Sequence, residues 1–391
     1  MQPYISCIIV LFAFSLSACR KDLPHDPVSV LDLNFEKTFG GSLDDHANDI
    51  LVKNGTLFIL GTTSSIGSSE GNFYLITTDI EGRQICEKTY GSSSEEAGVS
   101  LISIGEDHLL LVGYTRNTIS GDQDILLYKV DLSGEVILKK TFGGAGDDYP
   151  VEIKALSNGQ ICILGTTKSF GSGAEDLYVI WLDQNGLLIQ EKTYGGTGRD
   201  GGSSFIELDN QDLILFGYTN ELNITNQDYY VLRVSPTGDT LWTKTFGGAG
   251  YEESQAIAYD QNNQFIINGH SSSLDPHHDM YAIKLNGDGQ IIWEKHYGGM
   301  HHDGGHAIIR HTNGNFTLIA RSNSFEAQAQ DALMLQINSD GKQLSKQLFG
   351  GSADDRINQI ITHGAFFYMI GETASFGQGA RDVYLIKHFA N

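Results

Sequence analysis

The sequence predicts an all-β fold: a seven-bladed β-propeller with four antiparallel strands per blade, closed by pairing an N-terminal strand with the three C-terminal ones. Three observations predict it. The first is a repeat. Phe39, Tyr90, Phe142, Tyr194, Phe246, Tyr297 and Phe349 are each followed by Gly-Gly or Gly-Ser, at steps of 51 or 52 residues. A period of that length marks a unit that buries its apolar faces only against its neighbours. The second is the content of each unit, four short β-favouring runs separated by turn residues. The third is the offset of the chain ends against the repeat, which opens on a fourth strand and closes on a third.

The third unit shows the strand pattern. Val151–Leu156 is expected as the first strand and ends at Ser157-Asn158-Gly159. Ile161–Thr167 is the second, Leu177–Leu182 the third, and Leu187–Thr193 the fourth, running into Tyr194-Gly195-Gly196. The second and third are near-continuous apolar runs, as strands covered on both faces require. Four such strands, stacked face to face with the next four, make a propeller blade. At the ends, Val30–Thr38 reads as an orphan fourth strand and Val383–Phe389 as an orphan third. Together they complete the seventh blade, and closing the ring removes its exposed edges.

Turn chemistry sorts the loops onto two faces. Asn54-Gly55, Asn158-Gly159 and Asn313-Gly314, with Asp79–Gly82, Asp131–Gly134 and Asp183–Gly186, supply the positive φ of tight hairpins. The second-to-third and fourth-to-first connections are longer, and both fall on the opposite face. Loop-borne function is expected on that long-loop face.

Upstream of the repeat, residues 1–18 read as an export leader with an apolar run, Ile5 to Leu16, too short for a stable span. The leader ends Leu16-Ser17-Ala18-Cys19. This resembles the bacterial lipobox, which implies lipidation of Cys19 and a membrane anchor without a transmembrane helix. Residues 19–29, with Pro24 and Pro27, read as a tether, and 30–391 as the propeller. Cys86 and Cys162, in apolar strand contexts of different units, read as buried core thiols. The net charge of −23 and pI near 4.8 repel phosphate backbones, which excludes nucleic acid as a partner.

Three positions recur in every unit. An acid follows each aromatic by six residues: Asp45, Glu96, Asp148, Asp200, Glu252, Asp303 and Asp355. A second polar position opens the third strand: Asn72, Asp124, Asp176, Asp228, Asp279, Asp331 and Asp382. A third, near the end of the second strand, is always hydroxylated, from Thr63 to Thr373. Function rarely needs seven identical sites, whereas a fold needs the same joint in each blade. These groups are therefore expected to bond loop backbone and tie blade to blade. Cation binding is the sharper alternative, but no loop has calcium-ligand spacing. Trp242, Trp293, Leu138, Phe35 and Cys86, four residues before the aromatic, read as outer-blade core.

One departure from the repeat stands out. Seven of 13 histidines fall between positions 277 and 311: His277, His278, His296, His301, His302, His306 and His311. His277, His278, His301, His302 and His306, with Asp303, are candidate ligands of a divalent transition metal, since imidazole and carboxylate suit zinc, copper or nickel. A solvated polar loop is the alternative. No other cofactor is indicated, and no catalytic constellation stands out from the repeat.

The run Trp242-x-Lys244-x-Phe246-Gly247-Gly248 and its six relatives resemble the β-propeller repeats of secreted and lipid-anchored proteins from Bacteroidota-type bacteria. The resemblance covers residues 30–391 and implies an envelope location, without an agreed activity. Gln347-Leu348-Phe349 and Ala320 depart from it. Kelch repeats place their Gly pair after the second strand rather than the fourth. Thr237-Gly238 and Trp242 are similar to the turn of quinoprotein dehydrogenases and of the outer-membrane assembly lipoprotein with the same repeat. Only that unit has Thr-Gly there, so the match implies propeller packing and no quinone. The expected function is an envelope-anchored, non-enzymatic binding or scaffolding module, facing periplasm or cell surface. Its partners are the membrane, through the N-terminal lipid, and a protein or glycan on the long-loop face. The rival class is a polysaccharide hydrolase or lyase, which needs paired acids or a His and an acid outside the repeat.

Overall fold

Interblade packing decides this architecture, because no blade has a core of its own. The computed structural model describes residues 34–91, 94–116, 119–221, 226–273 and 278–390. Its strands form seven four-stranded antiparallel sheets. Blades one to six are each continuous in sequence. Blade seven takes Asp355–His363, Phe366–Thr373 and Asp382–Phe389 and adds Phe35–Phe39 as its outer strand. The closing ladder runs from Phe35 opposite Lys387 to Phe39 opposite Val383. The leader 1–18, the tether 19–29, Cys19 and the first residues of the expected opening strand lie outside the described residues.

The seven apolar clusters fall one to each interblade gap. Leu164, Val179 and Trp181 of blade three meet Phe205, Leu215 and Leu232 of blade four. Across the closure, Tyr368, Ile370, Val383 and Leu385 meet Ala47, Ile50, Leu57 and Ile59. The second and third strands are buried along their length, as in Ile161–Thr167 and Asp176–Leu182, which explains their unbroken apolar sequence. Outer strands alternate between half-buried and exposed.

Blade three refines the expected boundaries. Its first strand is Asp148–Ala155, so the recurrent acid opens the strand instead of ending the loop before it. Asp148 pairs there with Thr167, and the hydroxyl position faces the acid across the ladder. Each inner strand also carries a bulge one residue long, at Asn48, Val99, Val151, Ser203, Gln255, His306 and Asn358. A bulge re-aims one side chain and strengthens strand twist. All seven bulged residues line the central channel.

One core assignment needs correction. Cys162 is a buried free thiol, but Cys86 is only half-buried on the outer strand Gln84–Tyr90 and is not a free thiol. The position it shares with Trp242, Trp293 and Phe35 does pack against the interblade clusters, and it also ties each outer strand to the next blade. The Trp242 indole N–H donates to Gly287 O at 3.2 Å and that of Trp293 to Ser339 O at 3.0 Å. Gly289, at φ +71°, needs glycine twice over, since a Cβ would also lie 3.0 Å from the Trp242 ring.

Candidate functional site

The long-loop face holds two layers: a repeating joint below and a non-repeating mouth above. In the joint, the second glycine of each pair donates its N–H to the recurrent acid four residues on. The distances are 2.7 Å for Gly41 to Asp45, 2.8 Å for Gly144 to Asp148 and for Gly196 to Asp200, and 2.7 Å for Gly299 to Asp303 and for Gly351 to Asp355. Gly248 to Glu252 is 3.2 Å. A serine two residues past the recurrent hydroxyl completes the set, with Ser65, Ser169 and Ser375 Oγ each 2.6 Å from their acids and Ser324 at 2.8 Å. The sequence reading passed over these serines. Their signal is a recurrent Thr/Ser-x-Ser at the second-strand end.

The first glycine of the pair lies between two carboxyl groups. A Cβ at Gly247 would come 2.0 Å from Asp228 Oδ1 and 2.5 Å from Glu252 Oε2. A Cβ at Gly350 would meet Asp331 Oδ1 at 2.4 Å and Asp355 Oδ2 at 2.7 Å. Burial and the facing acid push the Asp228 and Asp331 carboxyls up to about 6. These acids belong to the joint between successive blades.

Above the joint, the residue after each acid faces the second strand's penultimate residue across the ladder. These pairs do not repeat: His46 and Thr62, Ala97 and Tyr114, Tyr149 and Thr166, Gly201 and Tyr218, Glu253 and His270, Gly304 and Arg321, Arg356 and Glu372. They form the channel mouth. Most of its charges are paired: Arg116 with Glu95 at 2.7 Å, Lys168 with Asp147 at 2.9 Å, Arg199 with Glu175 at 2.9 Å, and Arg381 with Glu372 at 3.1 Å.

Two cavities meet here. The channel, about 270 Å³, is lined by the bulged residues and their neighbours. Its wall is tied from blade to blade. Asn358 Nδ2 donates to Ala47 O at 2.8 Å, and Asn48 Nδ2 to Gly98 O at 2.7 Å. Asp49 accepts from Ser100 Oγ at 2.7 Å and Leu101 N at 2.9 Å, and burial pushes its carboxyl up to about 6. The second cavity is a vestibule of about 590 Å³ that shares Val99, Val151, Ser203 and Gln255 with the channel. Arg199, Tyr218, Gln227, Tyr251 and Glu253 complete it. None of these five was singled out in the sequence. They sit at ordinary-looking repeat positions, and only the ring brings them together. Their mix of aromatic faces and hydrogen-bonding groups suits a polar ligand with apolar faces.

The histidines divide. His277 lies outside the described residues. His301 is exposed at the loop surface, with its backbone N–H on Ser324 Oγ at 3.1 Å. His278 and His302 are adjacent, the His278 N–H donating to His302 Nδ1 at 3.2 Å. His306 is in the channel wall, its imidazole lowered to about 4 by burial, Arg321 and Arg356. Asp303 is committed to the joint, accepting from Gly299, Ser322 and Ser324. His296 stacks on Tyr281 with ring centroids 4.4 Å apart, and His311 bonds Thr317 at 2.8 Å. Among the described residues, no group of three or more His, Cys, Asp or Glu side chains is placed to hold a metal ion. The residue that the cluster does recruit is His270, 5.3 Å ring to ring from His278 and 3.2 Å through Nε2 from Glu253 Oε2. That hydrogen bond holds the Glu253 carboxyl below its usual range.

No protein-family model matches the chain, and no curated protein sequence matches it. Solved structures do. The chain is similar to the WD40 domain of Pan2 from Neurospora crassa at TM-score 0.54 and 11% identity, over 88% of this chain and 91% of that one. It is similar to a candidate 6-phosphogluconolactonase from Bacteroides uniformis at 0.51 and 13%, over 82% and 92%. It also matches puromycin hydrolase at 0.54 and 11%, over 88% of this chain but 52% of that one. At such identities the likeness is of fold alone.

Proposed function

We propose that the chain is a non-enzymatic binding module of the bacterial cell envelope, held by lipid on Cys19, that takes a glycan in the long-loop vestibule. The observation that supports this is convergence. The seven blades repeat their joints, and their unlike side chains gather at one mouth, where Tyr218, Tyr251, Arg199, Gln227 and Glu253 line a single cavity. Tyrosine rings give a sugar an apolar face, and the amide and guanidinium groups match its hydroxyls. A glycan array on the full chain in detergent, followed by calorimetry, tests this. Binding is expected without release of reducing ends, and Tyr251→Ala weakens it about tenfold. Binding that Tyr251→Ala and Arg199→Ala leave unchanged overturns the site. A second reading, a polysaccharide-active enzyme, draws on the Glu253–His270 pair at 3.2 Å, an acid and a base at the vestibule edge. Release of reducing ends that Glu253→Gln abolishes would establish that reading instead.

A further inference from the structure

We propose that the blade-five and blade-six corner of the mouth, next to the vestibule residues Tyr251 and Glu253, is an anion subsite for the carboxylate of a uronic-acid sugar, anchored by Arg321. This rests on the glycan-binding reading above and names the ligand's chemistry. Every other described arginine has a carboxylate within 3.6 Å. Among the described residues, the Arg321 side chain makes neither a hydrogen bond nor an ion pair, although the residue is half-buried. In a chain of net charge −23, an arginine left without a carboxylate is a departure that asks for an acceptor from outside.

The surroundings fit such an acceptor. The cross-strand partner of Arg321 is Gly304, so no side chain covers the guanidinium from that side. A Cβ at Gly304 would lie 3.1 Å from Arg321 Nε and 3.4 Å from His270 Nδ1. The ring nitrogens His270 Nδ1 and His278 Nδ1 are buried and have no partner. The nearby carboxylate, Glu253, is bonded to His270. Arg321 also bears on Glu253, His278 and His306, lowering all three. The corner therefore sets a guanidinium without an ion pair beside a carboxylate that His270 already engages.

Two considerations select a carboxylate on a sugar. A planar guanidinium binds a carboxylate in a two-point fork, and this corner offers one such fork without a second free arginine. The acidic surface repels a densely charged polymer, so an isolated charge on an otherwise neutral ring is favoured. The Tyr251 ring, at 6.5 Å from that of His278, places the sugar face beside the charge.

The test is calorimetry on the full chain with three trisaccharides of one linkage: galacturonate, its neutral galactose counterpart and a sulfated form. The uronate is expected to bind about tenfold tighter than the neutral sugar. Arg321→Gln should abolish that difference without changing neutral-sugar affinity, and Arg321→Lys should restore part of it. Thermal melts of both variants check the fold. Equal affinity for acidic and neutral sugars, unmoved by Arg321→Gln, overturns the subsite but leaves the binding module standing. Sulfated sugar binding as tightly as the uronate overturns the carboxylate assignment. Failure of all three sugars to bind overturns the subsite together with the glycan reading on which it rests.

Discussion

Gly350 stands where two carboxyl groups close on the backbone, and its φ of +145° calls for glycine as well. The same approach is electrostatically costly. The Asp331 carboxyl is pushed up to about 6 by burial first and by Asp355 second. A carboxyl whose folded value is raised holds its proton longer in the folded state. The stability of that state is therefore greatest below the unfolded value near 4, falls as pH rises to about 6, and is level above. Blade one carries the amide alternative, since Asn72 occupies this position and donates to Ile66 O and Ser68 O at 3.2 and 2.9 Å. Asp331→Asn should thus stabilise the protein at pH 7 by about 1 kcal/mol, part of the repulsion being screened by solvent. The gain should vanish by pH 4. Urea melts of both proteins at pH 4, 5, 6 and 7 measure it, and a gain independent of pH would refute the paired-acid account. The positions of these acids were legible because seven copies repeat. Their pairing was not, since Asp331 and Asp355 are 24 residues apart in sequence and meet only at the glycine between blades.

At the scale of the strand, the closure is the element on which the ring depends. Phe35–Phe39 covers the edge of Asp382–Phe389 and contributes Phe35 and Phe39 to the packing between blades seven and one. Removing residues 35–39 leaves an unpaired edge, which invites pairing with a second copy. The deletion is expected to lower the melting temperature by roughly 5–10 °C and to produce dimers or larger species. Calorimetry with size-exclusion chromatography checks this, and an unchanged monomer with an unchanged melt would show that the ring holds without its closing strand. This closure was legible because the chain opens on a fourth strand and closes on a third, out of phase with the repeat. The bulges were not. An extra residue such as Ser203 or Gln255 only shifts a two-residue alternation by one, which short strands rich in Gly, Ser and Ala do not display. The mouth depends on that shift, together with cross-strand pairs such as Glu253 with His270. The fold divides the described part of the histidine run for a related reason. Residues close in sequence, such as His302 and His306, point to loop and channel, whereas His270, outside the run, joins His278.

For the molecule as a whole, the proposed lipid on Cys19 would decide which of the two faces meets a membrane. The described chain enters at Asn34 on the tight-turn face, where Asn34 Oδ1 accepts from Phe389 N at 2.8 Å. Residues 20–33 separate that point from Cys19. Fourteen residues reach about 50 Å when fully extended, and less as a relaxed tether. A lipid on Cys19 would therefore keep the tight-turn face toward the bilayer and leave the vestibule pointing away from it. The acidic turns at Asp131, Asp183 and Asp239 would disfavour close contact with anionic lipid, so the face should hover over the membrane without inserting. The lipidated full chain in liposomes tests the arrangement with single fluorophores at Asn185→Cys, on the turn face, and Thr197→Cys, on the loop face. A headgroup quencher should quench the Asn185 position more strongly. Glycan affinity in liposomes should equal that in detergent, because the vestibule remains open to solution. Stronger quenching at Thr197, or affinity lost on reconstitution, would turn the molecule over and place its binding face against the membrane.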